Sequence, residues 1–186
     1  MAATDTRTPP RKISDEANAE ELQLANKQGR SYAVALEHMV QQVAHDGKEQ
    51  AAGDYLVAYA VEEAEGMYLQ GNGGLEWHDP GPGENCHVEI AVRDKADGRF
   101  IPGLDIHIKL LSADGKEVAS GQQPFIWHPW LMHYGRNWKV PGDGDYKLQV
   151  RIEAPTFHRH DKENGKRYAR AEEIEFEKVN IATGQK

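Results

Sequence analysis

The hydrophobic pattern of this 186-residue chain switches period once, near residue 50. Between Ser31 and Asp46, the residues Leu36, Met39, Val40 and Val43 recur at the i, i+3, i+4, i+7 spacing of one helical face, with Gly29 before and Gly47 after. An amphipathic helix is predicted there. Its stripe is too apolar to be left in water, so it should pack on the rest of the chain or on a second copy. Upstream, residues 14–28 read as weakly helical, with Ser14 as a candidate cap. Residues 1–13 are polar, interrupted by Pro9 and Pro10, and read as a disordered arm.

Beyond residue 50 the period becomes two. Tyr55, Val57, Tyr59 and Val61 alternate with smaller residues; Cys86, Val88, Ile90 and Val92 do the same, which puts His87 and Glu89 together on the opposite face. Leu104 to Leu110, a short stretch over Lys116 to Ser120, Tyr146 to Ile152, and a last run from Ile174 towards Ile181 complete the strands. Turn signals fall at Ala96-Asp97-Gly98, Asp114-Gly115 and Gly142-Asp143-Gly144, while Gly71 to Gly74 and Pro80 to Gly83 read as a flexible connection. Short strands at spacings of roughly ten residues predict an all-β fold, an immunoglobulin-like antiparallel β-sandwich with an N-terminal helical extension. The division expected is an arm and helix over residues 1–48 and a sandwich over residues 49–186.

Composition narrows the function classes. A formal net charge of -8 argues against a nucleic-acid surface, which needs clustered Lys and Arg, and suits a cationic or metal partner. The lone Cys86 excludes an intrachain disulfide framework and any multi-cysteine zinc site. No apolar run approaches the ~18 residues that read as a membrane span. The first thirty residues lack the apolar region of a secretory signal, which leaves either a cytoplasmic protein or one whose signal has been removed.

The candidate chemistry centres on Gln123 to Gly135, where His128, His133, Trp127, Trp130, Met132 and Tyr134 crowd a segment punctuated by Pro124 and Pro129. Three places offer metal-type ligands: His87 with Glu89, His128 with His133, and His158 with His160. All lie near strand ends or loops, and loops at one end of a sandwich cluster in space. On the residues alone, surface histidines and rim aromatics remain an open alternative. His38 and His45 lie off the helical stripe and, with His78 and His107, are expected to take no part.

An ordered set of short motifs then resembles a known family. It comprises His87-Val88-Glu89, Phe100-Ile101-Pro102-Gly103-Leu104, Pro124 leading to His133-Tyr134-Gly135, Gly144-Asp145-Tyr146, and Arg159-His160 followed by Gly165 and a charged last strand. The stretch from His87 to Glu177 is similar to the bacterial periplasmic iron-transport accessory proteins, copper binders related to a spirochaete metal-binding lipoprotein. The resemblance implies an immunoglobulin-like fold, a periplasmic location, a homodimer and an iron-permease component as partner. It also implies metal ligands at His87, Glu89, His133 and His160. The family's additional methionine has no match, since Phe125 follows Pro124 and one extra residue precedes His133. His128 or Met132 are the candidates to replace it. Imidazole and carboxylate without a thioether suit Cu(II) foremost, with Fe(II) or Zn(II) also within range.

The expected function is therefore a metal-binding accessory protein in iron and copper uptake or handling, with a His/Glu site at the sandwich rim. Trp127 and Trp130 are expected to shield that site, because indole has no lone pair to offer a cation. Occupancy should fall as pH drops through the ordinary histidine range near ~6.5. Two alternatives stand: a copper or zinc enzyme with an open metal position, and a partner-binding module whose Trp127, Trp130, Trp138 and Tyr134 form an aromatic patch.

Overall fold

The computed structural model describes residues 11–186, so most of the predicted arm lies outside the described residues. Helix α1 spans Ala19–His38 and runs on into a π-helical turn, Met39–Val43. It starts well before Ser31. Asn18 is its cap: the side-chain oxygen accepts from the backbone of Glu20 and Glu21 at 2.9 and 3.0 Å, while the Glu21 carboxylate accepts from the backbone of Asn18. Ser14 does not cap; its hydroxyl donates to Asp161 at 2.8 Å. Gly29 is no boundary either. It lies inside α1 where the helix crosses the 96–98 turn, and a Cβ there would sit 1.8 Å from the Asp97 carbonyl oxygen.

The strands in chain order are β1 (Asp46–Ala52), β2 (Tyr55–Glu62), β3 (Met67–Gly71), β4 (Gly74–His78), β5 (Cys86–Asp94), β6 (Ile106–Leu111), β7 (Glu117–Gln122), β8 (Phe125–Ile126), β9 (His133–Trp138), β10 (Gly144–Ile152) and β11 (Glu172–Ile181). One sheet has the order β1-β2-β5-β9-β8 and faces a second of order β11-β10-β6-β7. Every pairing between these strands is antiparallel. The architecture is the antiparallel sandwich that the alternation predicts.

The core lies between the sheets. Tyr55, Val57, Tyr59 and Val61 of β2 and Cys86, Val88, Ile90 and Val92 of β5 meet Ile106, Ile108, Leu110, Leu148, Val150, Ile152 and Phe176 from the other sheet. The outer face of the five-stranded sheet is also covered. Ala58, Ala60 and Ala91 are small enough to let α1 and its π-helical turn approach, and Leu36, Met39 and Leu131 pack on them. The predicted stripe therefore docks on its own sandwich, with Val40 partly buried and Val43 more exposed. Burying side chains such as Leu36 and Met39 stabilises the fold by about 1.5–3 kcal/mol each.

Three stretches form strands where the pattern did not place them. The Gly71–Gly74 stretch closes a hairpin of β3 and β4 across Asn72-Gly73, instead of forming a flexible connection. β1 carries the polar sequence Asp-Gly-Lys-Glu-Gln-Ala-Ala as the sheet edge and straddles the boundary expected near residue 49. The segment from Gln123 to Gly135 is only partly irregular: β8 and β9 pair through Phe125–Tyr134 and Ile126–His133, with residues 127–132 looping between them.

Candidate metal centre

β5 and β9 are neighbours, with Glu89 opposite Gly135 and His87 opposite Asn137. Side chains alternate along a strand, so the outer face carries His87 and Glu89 from β5 and His133, Gly135 and Asn137 from β9. Ligand atoms of His87, Glu89 and His133 all lie within 4.8 Å of one another. Gly135 makes this convergence fit: a Cβ there would meet His87 Nε2 at 2.7 Å and His133 Cδ2 at 3.1 Å. The three residues are only 2%, 4% and 2% exposed, since the helix and the 127–132 loop cover this face. The cluster is thus buried on a sheet face, where the pattern put it at an open rim.

Hydrogen bonds set both imidazoles with Nε2 free. Asn137 Nδ2 donates to the Glu65 carbonyl at 2.7 Å, which turns its Oδ1 towards His87; His87 Nδ1 donates to that oxygen at 2.9 Å. His133 Nδ1 likewise donates to the Leu131 carbonyl at 2.9 Å. His133 Nε2 is buried without a hydrogen-bond partner, 3.3 Å from Glu89 Oε1. Burial pushes His87 below the ordinary histidine range and His133 down to about 4. It pushes Glu89 up to about 8, helped by the nearby carboxylates of Glu62 and Glu65. At neutral pH the His133–Glu89 contact is therefore a neutral imidazole against a neutral carboxyl, not an ion pair.

These features fit a divalent cation. Two imidazole nitrogens and one carboxylate suit Cu(II), Zn(II) or Fe(II), and an ion would satisfy the orphaned His133 nitrogen. Cys86 supplies no sulfur ligand: its thiol faces the core, contacts the Trp138 carbonyl and is pushed up to about 12 by burial. Glu62, opposite His87 across β2, and Glu65 hold the Lys186 ammonium beside the cluster.

His160 does not join this group within one chain. Its side chain is 90% exposed, with Nδ1 3.1 Å from Glu16. The reason is topological. The loop after β10 docks through Arg167 and Tyr168 on Asp94, at the far end of β5 from His87. His107 pairs with Asp105 and His78 approaches Glu76, both away from the cluster. Met132 is 42% exposed, and its carbonyl accepts from the Tyr32 hydroxyl at 2.6 Å. His128 lies close by, with its ring centre 5.8 Å from that of His133.

The aromatic residues divide. Trp130 leans on His128 and on His38, with ring centres at 5.1 and 5.4 Å, whereas Trp127 is 68% exposed and shields little. Tyr134 and Trp138 face the core, and the Tyr134 hydroxyl donates to the Ile101 carbonyl. A recognition patch built from all four aromatics is not formed. Asn137 and Glu65 were not anticipated, although Asn137 stands four residues beyond His133, on the same strand face.

A family described as Fe2+ transport protein matches residues 76–180. A UPF0423 protein of Brucella abortus is 29% identical over 123 residues, covering 58% of this chain and 67% of its own. Two solved structures share the fold. FetP of a uropathogenic E. coli strain aligns with a TM-score of 0.60 at 24% identity, over 75% of this chain and 95% of that one. Copper-reconstituted P19 of Campylobacter jejuni aligns with a TM-score of 0.61 at 19% identity, over 75% and 96%. Among the described residues no helix is long and apolar enough to cross a membrane.

Proposed function

Because this chain belongs to the Fe2+ transport protein family, we propose that it is a metal-binding accessory protein of iron and copper handling, holding one divalent ion on His87, Glu89 and His133. The observation that carries this reading is the convergence of three ligand atoms within 4.8 Å on two rigid, adjacent strands. Cu(II) is the favoured ion, with Fe(II) and Zn(II) inside the range of the donor set. When bound, the ion takes electron pairs from two Nε2 atoms and the carboxylate. The chain's own part is to hold those atoms in place, exclude water from them and release the Glu89 proton.

The resemblance to periplasmic iron-transport accessory proteins supports a periplasmic setting beside an iron permease, with the metal as cargo and not as a turnover centre. His160 can enter the ligand set only from a second copy, which is the homodimer that the family resemblance implies. Incubating the purified chain with equal amounts of Cu(II), Zn(II) and Fe(II), desalting it and measuring retained metal tests the reading. A single ion per chain, mostly copper, is expected. No retained metal in the wild type, or equal retention after His87→Ala, would contradict it.

A further inference from the structure

The loop between β8 and β9 places a fourth metal-type side chain beside the cluster, the His128 ring centre standing 5.8 Å from that of His133. His128 Nδ1 is buried and has no hydrogen-bond partner, and the neighbouring His133 Nε2 is in the same condition. Two unpartnered imidazole nitrogens side by side are unusual, because buried polar atoms are nearly always satisfied. A shared cation would satisfy both.

His128 stands outside the group whose ligand atoms lie within 4.8 Å of one another, so its loop must shift inwards to deliver the nitrogen, but the ring spacing is close to what a shared ion needs. A metal bonded at about 2.0 Å to a ring nitrogen lies about 3 Å from the ring centre, so two rings on one ion have centres roughly 5–6 Å apart. The His87–His133 pair stands at 6.1 Å and the His128–His133 pair at 5.8 Å. Trp130, itself against His38 on α1, packs edge-on to the His128 ring and limits how far that ring can swing outwards. Cys86 and Met132 do not compete, since the thiol faces the core and the methionine is substantially exposed.

We propose that His128 Nδ1 is the fourth ligand of the centre formed by His87, Glu89 and His133, completing a set of three imidazoles and one carboxylate. This rests on the reading of that cluster as a metal centre. The consequence is a site that prefers Cu(II) to Cu(I), since no sulfur ligand is present to favour the softer ion. His128 lies on a loop while the other ligands lie on strands. Trp130 acts as a positioning residue for that ring.

The test uses the full chain loaded with Cu(II) at neutral pH, comparing wild type, His128→Ala, His128→Gln, His128→Met and His133→Ala. Pulsed electron paramagnetic resonance counts coordinated imidazoles, and competition with a chromophoric chelator gives affinity. The His128→Ala and His128→Gln variants should show one coordinated imidazole fewer than wild type and bind Cu(II) about tenfold more weakly. His128→Met should shift the preference towards Cu(I). Wild-type spectra and affinity in the well-folded His128→Ala and His128→Gln proteins, with binding still weakened by His133→Ala, would overturn the role of His128 alone. Absence of Cu(II) binding in the wild type would overturn the centre and this ligand together.

Discussion

The Asn137 amide ties His87 to the backbone of Glu65: its Oδ1 accepts from His87 Nδ1 at 2.9 Å and from the Glu65 N–H at 3.1 Å, while its Nδ2 donates to the Glu65 carbonyl. One side chain thereby fixes the tautomer of His87 and the course of the chain after β2. Such outer partners of ligating histidines typically contribute 10–100-fold in metal affinity. Asn137→Ala should weaken Cu(II) binding by about that factor. It should also cost about 1–3 kcal/mol of stability, because buried backbone groups lose their partner. Isothermal titration and chemical denaturation measure the two effects separately. Unchanged affinity in a folded Asn137→Ala protein would remove the amide from the account.

Gly135 is a second position where a small change should silence the site. Its backbone is ordinary strand, so alanine there brings no φ penalty, but the added methyl would occupy the space beside His87 Nε2 and His133. Gly135→Ala is expected to keep the fold by circular dichroism and lose most Cu(II) binding. Full binding by this variant would show that the imidazoles do not converge where the structure places them.

The pH response should come from Glu89 more than from the histidines. Its folded pKa is raised to about 8, so the folded chain keeps a proton that the unfolded chain releases near the ordinary carboxylate range. Between those limits the unfolded state binds fewer protons, and this group makes stability fall as pH rises. His133, lowered to about 4, acts oppositely: the penalty of charging it is removed as pH climbs through the range below ~6.5. Above ~6.5 only the Glu89 effect remains, so the metal-free protein should lose on the order of 1–2 kcal/mol towards pH ~8. Glu89→Gln should abolish that loss. In the presence of Cu(II) the sign reverses, because binding expels the Glu89 proton and affinity rises with pH up to about 8. Titrations in buffers of different ionisation enthalpy at neutral pH should detect the released proton; its absence would count against the raised carboxyl.

A fourth substitution separates local propensity from packing. Gly29→Ala should favour the helix by up to about 1 kcal/mol on propensity alone. The close approach of α1 to the Asp97 carbonyl predicts the contrary, a lowered melting temperature. A higher melting temperature would mean that the helix can move off the 96–98 turn freely.

The strands that could be read from the sequence are those with one apolar face. β2, β5, β6 and β10 alternate because one side meets the core and the other carries alanine or polar residues. β1 could not be read that way, since an edge strand with mostly exposed side chains leaves no apolar alternation. The β3–β4 hairpin had its signal in Asn72-Gly73, which was masked by the surrounding glycines. At the site, the shared face of His87 and Glu89 was legible from their two-residue spacing. The burial of that face was not, because it depends on where α1 and the 127–132 loop settle. Nor does the sequence say at which end of the sandwich a loop lies, so the separation of His160 from the cluster within one chain was not legible. Asn18 with Glu21 three residues on is a capping box legible in the sequence itself.

If His87, Glu89 and His133 form one metal centre, the Cu(II) affinity of His133→Ala must fall below that of wild type. His107→Ala is the control, since that histidine lies on the other sheet and pairs with Asp105. All three proteins should be titrated at the same neutral pH after circular dichroism has verified the fold. At least a tenfold loss, ~1.4 kcal/mol, is expected for His133→Ala, with the control unchanged. Equal affinities for wild type and His133→Ala would contradict a shared centre.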